Sequence, residues 1–426
     1  MNIFVIILNV SLAGFFCHWL ARRQERKLRI FFWPALSAKI SAGIFLGVLY
    51  HDYYQTGDTI LYHRDARVLA GLAVTDPSAY LKFLVDTTPE ISGLLSFSDP
   101  RAIFFDKLAS VPSLLTQNNY WLMAGYFSLL SFLGAWYLLV VISRYYRSLI
   151  LPAAIAFLFF PSVVFWTSGL IKESLASAAL FTLAGVFLTA WFEGRVRAGT
   201  SVAAIACVWL LWGLKYYFVA VFAPVVAACL LYKFVVRPVV RPQRPMAQVI
   251  LWLGLFLVPL ALITLAHPNF YVNKVMDVIA SNHEMYRLYS HQEDLIRMYD
   301  LQPDLWSILK NAPVALGSGL YRPFIFEAGN GLQFAASIEN LVLVILTLTS
   351  LRALIYVRDH DERILLTAIV VHVVLLCVLI TLSTPNFGTL SRYRVGYLPF
   401  FVFLLLAGSP LTKFFERKFF GLVRSR

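Results

Sequence analysis

Long apolar runs alternate with short basic segments along the chain, and two longer polar segments interrupt the pattern. A helix of ~20 apolar residues is long enough to cross the hydrocarbon core of a bilayer. The pattern therefore predicts eleven membrane-spanning helices, and the junctions near residues 168 and 216 leave room only for tight turns. The predicted spans are residues 2–20, 33–51, 120–142, 148–167, 170–192, 199–215, 217–234, 247–266, 333–356, 363–383 and 396–413.

Composition excludes an ordinary water-soluble fold. Of the 426 residues, 59% are hydrophobic and only 14% are charged, whereas about a quarter are charged in soluble domains. A membrane β-barrel would show short alternating segments instead of long apolar runs. The predicted fold class is therefore all-α, a polytopic integral membrane protein with about eleven transmembrane helices and two long extracytoplasmic loops.

The first apolar run predicts a retained anchor. "MNIFVIILNVSLAGFFCHWL" lacks a basic start and a clear small-residue cleavage site, and it is followed by "ARRQERKLR". We expect four segments: an anchor helix with a basic loop at 1–32, a membrane module at 33–266, a long outer loop at 267–332, and C-terminal helices with a basic tail at 333–426.

Basic residues set the predicted orientation. In the predicted layout the basic clusters that follow alternate spans all lie on one side, which the positive-inside rule makes the cytoplasm. We expect the N-terminus outside and the C-terminus in the cytoplasm of a bacterial inner membrane. The net charge of +13 is explained by these loops, and we predict no nucleic-acid partner. The clustered residues are Arg22, Arg23, Arg26, Lys27, Arg29, Arg144, Arg147, Arg195, Arg197, Lys233, Arg237, Arg241, Arg244, Arg352, Arg358, Lys413, Arg417, Lys418, Arg424 and Arg426.

Two long loops, residues 51–119 and 267–332, fall on the predicted outer face, and the first is mildly acidic. Both contain short alternations of apolar and polar residues, such as "AYLKFLVD" and "DLWSILKNA". These patterns predict short helices that lie along the membrane surface.

The start of the first long loop offers candidate catalytic carboxylates. In "GDTILYHRDA" a helix would bring Asp58, Tyr62 and Asp65 to one side, because their spacing is i, i+4 and i+7. Asp58 and Asp65 are therefore the candidate bases. The alternative is that Asp58 only caps the helix that follows Gly57.

Charged residues also lie at the predicted outer ends of apolar spans. "FPSVVFWTSGLIKESL" contains Lys172 and Glu173, and "GLKYYF" contains Lys215. Ionisable groups at membrane depth commonly face a polar cavity or a partner, so we expect these three residues to bind substrate. For the lysines the alternative is a side chain that extends from a helix end to the interface.

Arginines on the predicted outer face complete the candidate site. "LYRPFIFEAGN" contains Arg322 and Glu327, which bind substrate or simply pair with each other. "TPNFGTLSRYRVGYLP" is a predicted short outer loop, and its Arg392 and Arg394 run against the positive-inside trend. We expect these two arginines to bind an anionic group.

These residue types suit sugar transfer from a lipid-linked phosphosugar. A carboxylate takes the proton of the acceptor hydroxyl, and Arg or Lys stabilises the charge that develops on the departing phosphate. The chain has no P-loop, H-E-x-x-H, G-x-S-x-G or Rossmann glycine pattern. We predict no cofactor and no protein metal site, and we leave the need for a divalent cation open.

The layout resembles the type C glycosyltransferases of bacterial membranes. That resemblance implies a many-span fold, a polyprenyl-phosphate-linked sugar as donor, and an essential acid near the start of the first large outer loop, where this chain has Asp58. The family often has an acidic pair there, where this chain reads "GDT", and the first span is an addition. "PSVVFWTSGLIKESL", "LYRPFIFEAGN" and "NFGTLSRYR" are also similar to bacterial proteins of exopolysaccharide loci.

The predicted function is a membrane glycosyltransferase of cell-surface polysaccharide or glycoconjugate synthesis. Its expected partners are a polyprenyl-phosphate-linked sugar, a glycan acceptor and membrane lipids. One alternative is an O-antigen or exopolysaccharide repeat-unit polymerase, which uses the same lipid without Asp58. Two others are a lipid-linked sugar transporter or flippase, which the lack of an internal repeat disfavours, and a non-catalytic scaffold for polysaccharide assembly.

Overall fold

A computed structural model describes residues 3–266, 268–355, 359–410 and 412. The chain is 85% helical and the described residues contain no strand. Their one isolated backbone bridge joins Leu295 and Asn386. The all-α prediction is confirmed. Arg358 and the predicted basic tail after residue 412 lie outside the described residues.

Eight helices of the described residues are long and apolar enough to cross a membrane, which indicates an integral membrane protein. A ninth candidate is the pair Phe387–Gly396 and Leu398–Gly408, which is bent by 67°. The number of true spans stays a prediction. The eight helices are Ile3–Arg22, Arg26–Tyr54, Tyr120–Tyr145, Lys172–Glu193, Ala198–Val240, Pro245–Leu262, Gly331–Ser350 and His360–Ser383.

The chain leaves regular helical geometry near both predicted tight junctions. The region predicted as span 148–167 forms the shorter apolar helix Arg147–Phe159, followed by Pro161–Trp166 and a turn at 167–171. Pro161 has no N–H to donate and restricts the residue before it, so a new helix starts there. The second departure lies within Ala198–Leu231 at Lys215, where φ is −150° and ψ is 68°.

Both long polar segments contain helices, as the short amphipathic patterns predict. Side-chain caps start two of them: Asp76 accepts from Ala79 N, and Asp304 accepts from Ser307 N. The orientation of these helices toward a membrane stays a prediction. They are Asp58–Thr75, Pro77–Val85, Pro89–Ser92 and Pro100–Leu115 in the first segment, and Val272–Tyr289 and Leu305–Tyr321 in the second.

The chain divides into two compact units. The first unit comprises the described parts of residues 1–144, 158–186 and 196–216. In it the Asp58–Thr75 and Pro100–Leu115 helices pack together and share a buried cluster with the Pro77–Val85 helix. The members of that cluster are Leu69, Tyr80, Phe83 and Ile103.

The second unit comprises the described parts of residues 145–157, 187–195 and 217–426. One of its buried hydrophobic clusters includes Trp191, Tyr232, Trp252 and Ile364. Near this cluster Asp361 accepts hydrogen bonds from Lys233 Nζ at 3.0 Å and from Arg237 Nη1.

Candidate functional site

Asp58 is the first helical residue of Asp58–Thr75 and is half-buried. Gly57, whose φ is +126°, holds the N-cap position, so the interpretation of Asp58 as the cap is wrong. A carboxylate in the first turn is still favoured by the partial positive charge of the helix N-terminus. The start of this helix is anchored by a hydrogen bond of 2.8 Å between Thr59 Oγ1 and Tyr120 Oη.

Asp65 lies on the buried face of the same helix, three residues after the buried Tyr62. Its carboxylate accepts from Ser96 N at 2.7 Å and from Ser96 Oγ at 2.6 Å, and Arg64 Nε lies 3.5 Å from Oδ1. These contacts hold the loop around Ser96 against the helix. Asp65 is 0% exposed and therefore less accessible to an acceptor hydroxyl than Asp58.

Asp106 is a buried carboxyl that the sequence analysis did not select. It lies on the buried face of Pro100–Leu115, and neither carboxyl oxygen has a hydrogen-bond partner among the described residues. Burial, followed by the charge of Asp65, raises the pKa of Asp106 to about 9, although the charge of Lys172 opposes the rise. The sequence contains a signal of this buried position, because Asp106 is a charged residue on an apolar helix face, three residues after Ile103 and three before Ala109.

A second residue that the sequence analysis passed over, Lys39, holds the turn at 167–171. Lys39 is 0% exposed in the helix Arg26–Val48. Its ammonium donates to Ser131 Oγ at 2.9 Å, to Thr167 O at 3.2 Å and to Thr167 Oγ1. A lysine in the middle of an apolar run is itself a signal of a polar partner inside the protein.

The same turn packs closely on the Arg26–Val48 helix. Gly169 has φ +78°, and its N–H donates to Ser128 Oγ at 2.8 Å. A Cβ on Gly43 would lie 3.0 Å from Gly169 N and 2.3 Å from Ser128 Oγ, so this approach requires glycine. The turn therefore sets where the following residues, Lys172 and Glu173, begin the next helix.

Lys172 contacts the first long segment rather than extending freely. Its Nζ lies 3.7 Å from Asp99 Oδ2 and 5.5 Å from the ring centroid of Tyr62. Asp99 also accepts from Arg101 Nε at 3.2 Å. The result is a small charged network at the start of Lys172–Glu193.

Glu173 and Lys215 form a buried ion pair, with 2.8 Å between Lys215 Nζ and Glu173 Oε1. Their side chains are 0% and 5% exposed. Lys215 occupies the break in Ala198–Leu231. The pair therefore connects the two places where the sequence predicts tight junctions. Loss of either partner would leave a buried charge uncompensated.

Arg322 and Glu327 lie in the second unit and pair with each other, as one of the two interpretations predicts. Arg322 Nε donates to Glu327 Oε1 and Oε2 at 2.9 and 3.0 Å, and Nη2 also contacts Oε1. Glu327 Oε2 further accepts from Phe324 N at 2.8 Å. The Arg322 guanidinium lies 5.2 Å from the ring centroid of Phe387.

Arg394 is 0% exposed, and no carboxylate of the described residues forms an ion pair with it. Its Nη1 donates to Asn340 Oδ1 at 2.9 Å and reaches Arg322 O at 3.4 Å. Nε and Nη2 have no hydrogen-bond acceptor among the described residues. Asn340 is fixed in turn, since its Nδ2 donates to Pro323 O at 2.9 Å. No pattern in the sequence indicates a role for Asn340.

The segment around Arg392 and Arg394, predicted as a short outer loop, is helical, and its position outside the membrane stays a prediction. Asn386 accepts from Thr389 N and caps the helix Phe387–Tyr393, and Phe387 and Leu390 bury its apolar side. A 3₁₀ turn, Arg394–Gly396, follows. Arg392 is half-buried on the helix.

The predicted site residues thus fall into two groups. The first unit contains Asp58, Asp65, Lys172, Glu173 and Lys215, and the second contains Arg322, Glu327, Arg392 and Arg394. No group of three or more His, Cys, Asp or Glu side chains in the described residues could hold a metal ion. Comparisons with protein-family models, curated proteins and solved structures found no match.

Proposed function

We propose that the chain is a membrane glycosyltransferase that uses a polyprenyl-phosphate-linked sugar to build a cell-surface polysaccharide or glycoconjugate. The observation that carries the proposal is the buried guanidinium of Arg394, two of whose nitrogens have no acceptor in the part of the chain that the structure describes. The resemblance to type C glycosyltransferases supplies the reaction class. The inner membrane, the outward N-terminus and the cytoplasmic C-terminus belong to the same proposal.

An unmatched buried cation favours an anionic ligand. A buried charge without a counter-charge costs several kcal/mol, and the contacts to Asn340 and to a backbone carbonyl supply only neutral acceptors. Phosphate suits the open side of a guanidinium, because the planar fork donates two parallel hydrogen bonds to two oxygens. Since Arg394 itself is not exposed, its neighbours have to move for a phosphate to bind.

A lipid-borne phosphate fits this position better than a free one. Arg394 lies at the break between Phe387–Gly396 and Leu398–Gly408, a helix pair apolar enough to cross a membrane. A lipid whose chain lies in the bilayer presents its phosphate at such a helix break. The neighbouring Arg322 is neutralised by Glu327, whereas Arg394 forms no ion pair with a carboxylate of the described residues.

In the proposed reaction the acceptor hydroxyl oxygen forms a bond to the anomeric carbon of the donor sugar. The bond from that carbon to the phosphate oxygen breaks, and the polyprenyl phosphate leaves with the bonding electrons. The hydroxyl proton passes to a carboxylate base, for which Asp58 is our candidate because it is the less buried of the two predicted acids. Arginine stabilises the charge on the departing phosphate.

The test is ligand-induced stabilisation of the purified protein in nanodiscs. A ligand at ~100 times its Kd stabilises the folded state by about 2.7 kcal/mol. With ~2 cal/mol/K of unfolding entropy per residue, this corresponds to a rise in Tm of about 3 °C. We expect this rise for the wild type with polyprenyl phosphate and no rise for Arg394→Gln.

Three further ligands and one control variant test whether binding requires both the phosphate and the polyprenyl chain. Polyprenol lacks the phosphate, inorganic phosphate lacks the lipid, and phosphatidylglycerol is an ordinary anionic lipid. The matched control is Arg287→Ala, an exposed arginine of the second unit that pairs with Glu284. An equal response of wild type and Arg394→Gln to polyprenyl phosphate, or an equal response of the wild type to phosphatidylglycerol, would overturn the proposal.

A further inference from the structure

The carboxyl of Asp106 is buried, and neither of its oxygens has a hydrogen-bond partner among the described residues. The carboxyl of Glu173 is also buried, but it forms an ion pair with Lys215. Helices Asp58–Thr75 and Pro100–Leu115 enclose it, and next to it the rings of Tyr62 and Phe105 lie 4.6 Å apart. Buried polar groups are nearly always hydrogen-bonded, so such an exception requires an explanation.

The charged groups around Asp106 come from three elements. The charge of Asp65, on Asp58–Thr75, and the charge of Lys172, at the start of Lys172–Glu193, both act on its carboxyl. On its own helix the next residue, Lys107, turns away, because its Nζ donates to Thr87 Oγ1 at 2.8 Å. Arg101 is engaged with Asp99.

The carboxyls of Asp65 and Asp106 differ in the hydrogen-bond donors and charges around them. Asp65 accepts two short hydrogen bonds from Ser96 and lies beside Arg64, and these contacts stabilise its negative charge. Asp106 receives no donor, and the nearby charge of Asp65 opposes a second negative charge. These unequal surroundings favour a proton on the carboxyl of Asp106.

We propose that Asp106 is a proton-binding site, whose carboxyl carries a proton at neutral pH. This site is independent of the glycosyltransferase proposal. Release of the proton would create an unsolvated charge between two packed helices, so the site couples proton loss to loosening of the Asp58–Thr75 and Pro100–Leu115 pair.

The sign of the pH dependence follows from the pKa of Asp106, which is about 9 in the folded chain and 3.8 ordinarily. Between these values the folded state holds a proton that the unfolded state has lost. Stability therefore falls as the pH rises through this window, and the ratio of folded to unfolded protein decreases about tenfold per pH unit. Above the folded pKa this contribution does not change further.

Infrared spectroscopy observes the proton directly, through the C=O stretching band of a protonated carboxylic acid. We expect a band at pH 7 in the wild type that disappears as the pH is raised through about 9. Asp106→Asn should lack that band, whereas Asp99→Asn, at a partly exposed control position, should keep it. A wild-type spectrum with no band lost across this pH range would overturn the proposal, even if Asp106→Asn fails to fold.

Substitutions of Asp65 and Lys172 should shift the pH midpoint of the band's loss in opposite directions. A merely structural role of Asp106 would not produce such shifts. Asp65→Asn removes the charge that opposes ionisation of Asp106, so the midpoint of the band's loss should move to lower pH. Lys172→Met removes the favourable cation, so the midpoint should move to higher pH. Shifts of the same sign, or no shift in either variant, would contradict the assignment.

Discussion

Replacing Lys39 by Met should loosen the turn at 167–171. Methionine keeps the length and the apolar stem of lysine but has no N–H to donate. The substitution removes the ammonium that contacts Ser131 Oγ, Thr167 O and Thr167 Oγ1. The rest of the Arg26–Val48 helix keeps its packing, so the effect should be local to the turn.

The expected loss in local stability depends on which of the three acceptors keep another hydrogen-bond partner after the substitution. Thr167 Oγ1 still donates to Val163 O at 2.6 Å, and Ser131 Oγ still lies 3.3 Å from Ser177 Oγ. Thr167 O loses its hydrogen bond from the ammonium, and an unsatisfied buried carbonyl costs about 1–3 kcal/mol. With the two weakened hydroxyl contacts, and relief from burying a charge as an offset, we expect a net loss of about 2–3 kcal/mol.

Hydrogen exchange, measured by mass spectrometry or NMR, detects this loss of local stability at the turn itself. The reporter is the amide of Gly169, which donates to Ser128 Oγ at 2.8 Å in the intact turn. A loss of ~2–3 kcal/mol in local stability speeds its exchange about 30- to 150-fold, since ~1.4 kcal/mol is a factor of ten. The matched control is Lys82→Met, an exposed lysine of the first unit, which should leave this exchange unchanged.

Unchanged exchange at Gly169 in Lys39→Met would refute the reasoning. It would mean that the turn is held by Ser128 and by the close packing of Gly43 without the ammonium. Faster exchange across the whole first unit would refute it differently, because a local contact should not control the stability of distant helices.

Two further predictions concern topology and the proposed base. Cysteines at Ser96 and His291 should react with an impermeant label applied outside intact cells, and a cysteine at Gln243 should not; labelling at 243 would contradict the orientation. Asp58→Asn should abolish surface polysaccharide production in a complemented deletion strain at equal membrane protein level, because an amide accepts no proton. Loss of the helix-dipole interaction alone costs only about 0.3–1 kcal/mol, so wild-type production would remove Asp58 from catalysis and favour a polymerase.

The helices themselves could be predicted from the sequence. The described parts of the predicted apolar runs are mostly helical, because backbone groups in an apolar run must be satisfied within the segment itself. The exceptions are run 148–167, which is divided at Pro161, and runs 199–215 and 217–234, which share one helix broken at Lys215. The helix Asp58–Thr75 followed from spacing alone, and the buried Tyr62 and Asp65 confirm that they share a face. The helix at Phe387–Tyr393 was missed because seven residues with one polar cap give too little periodicity.

Which polar groups find a partner was decided only by the tertiary structure. Asp65 pairs with Ser96 at a separation of 31 residues, Lys39 with Thr167 at 128, and Arg394 with Asn340 at 54. Periodicity describes the surroundings of a residue over a few helical turns and carries no information on such distant contacts. The sequence therefore identified charged residues at helix ends. Only the packing of helices showed that both carboxyl oxygens of Asp106 and two guanidinium nitrogens of Arg394 have no hydrogen-bond partner among the described residues. Burial and hydrogen bonding are properties of the folded chain.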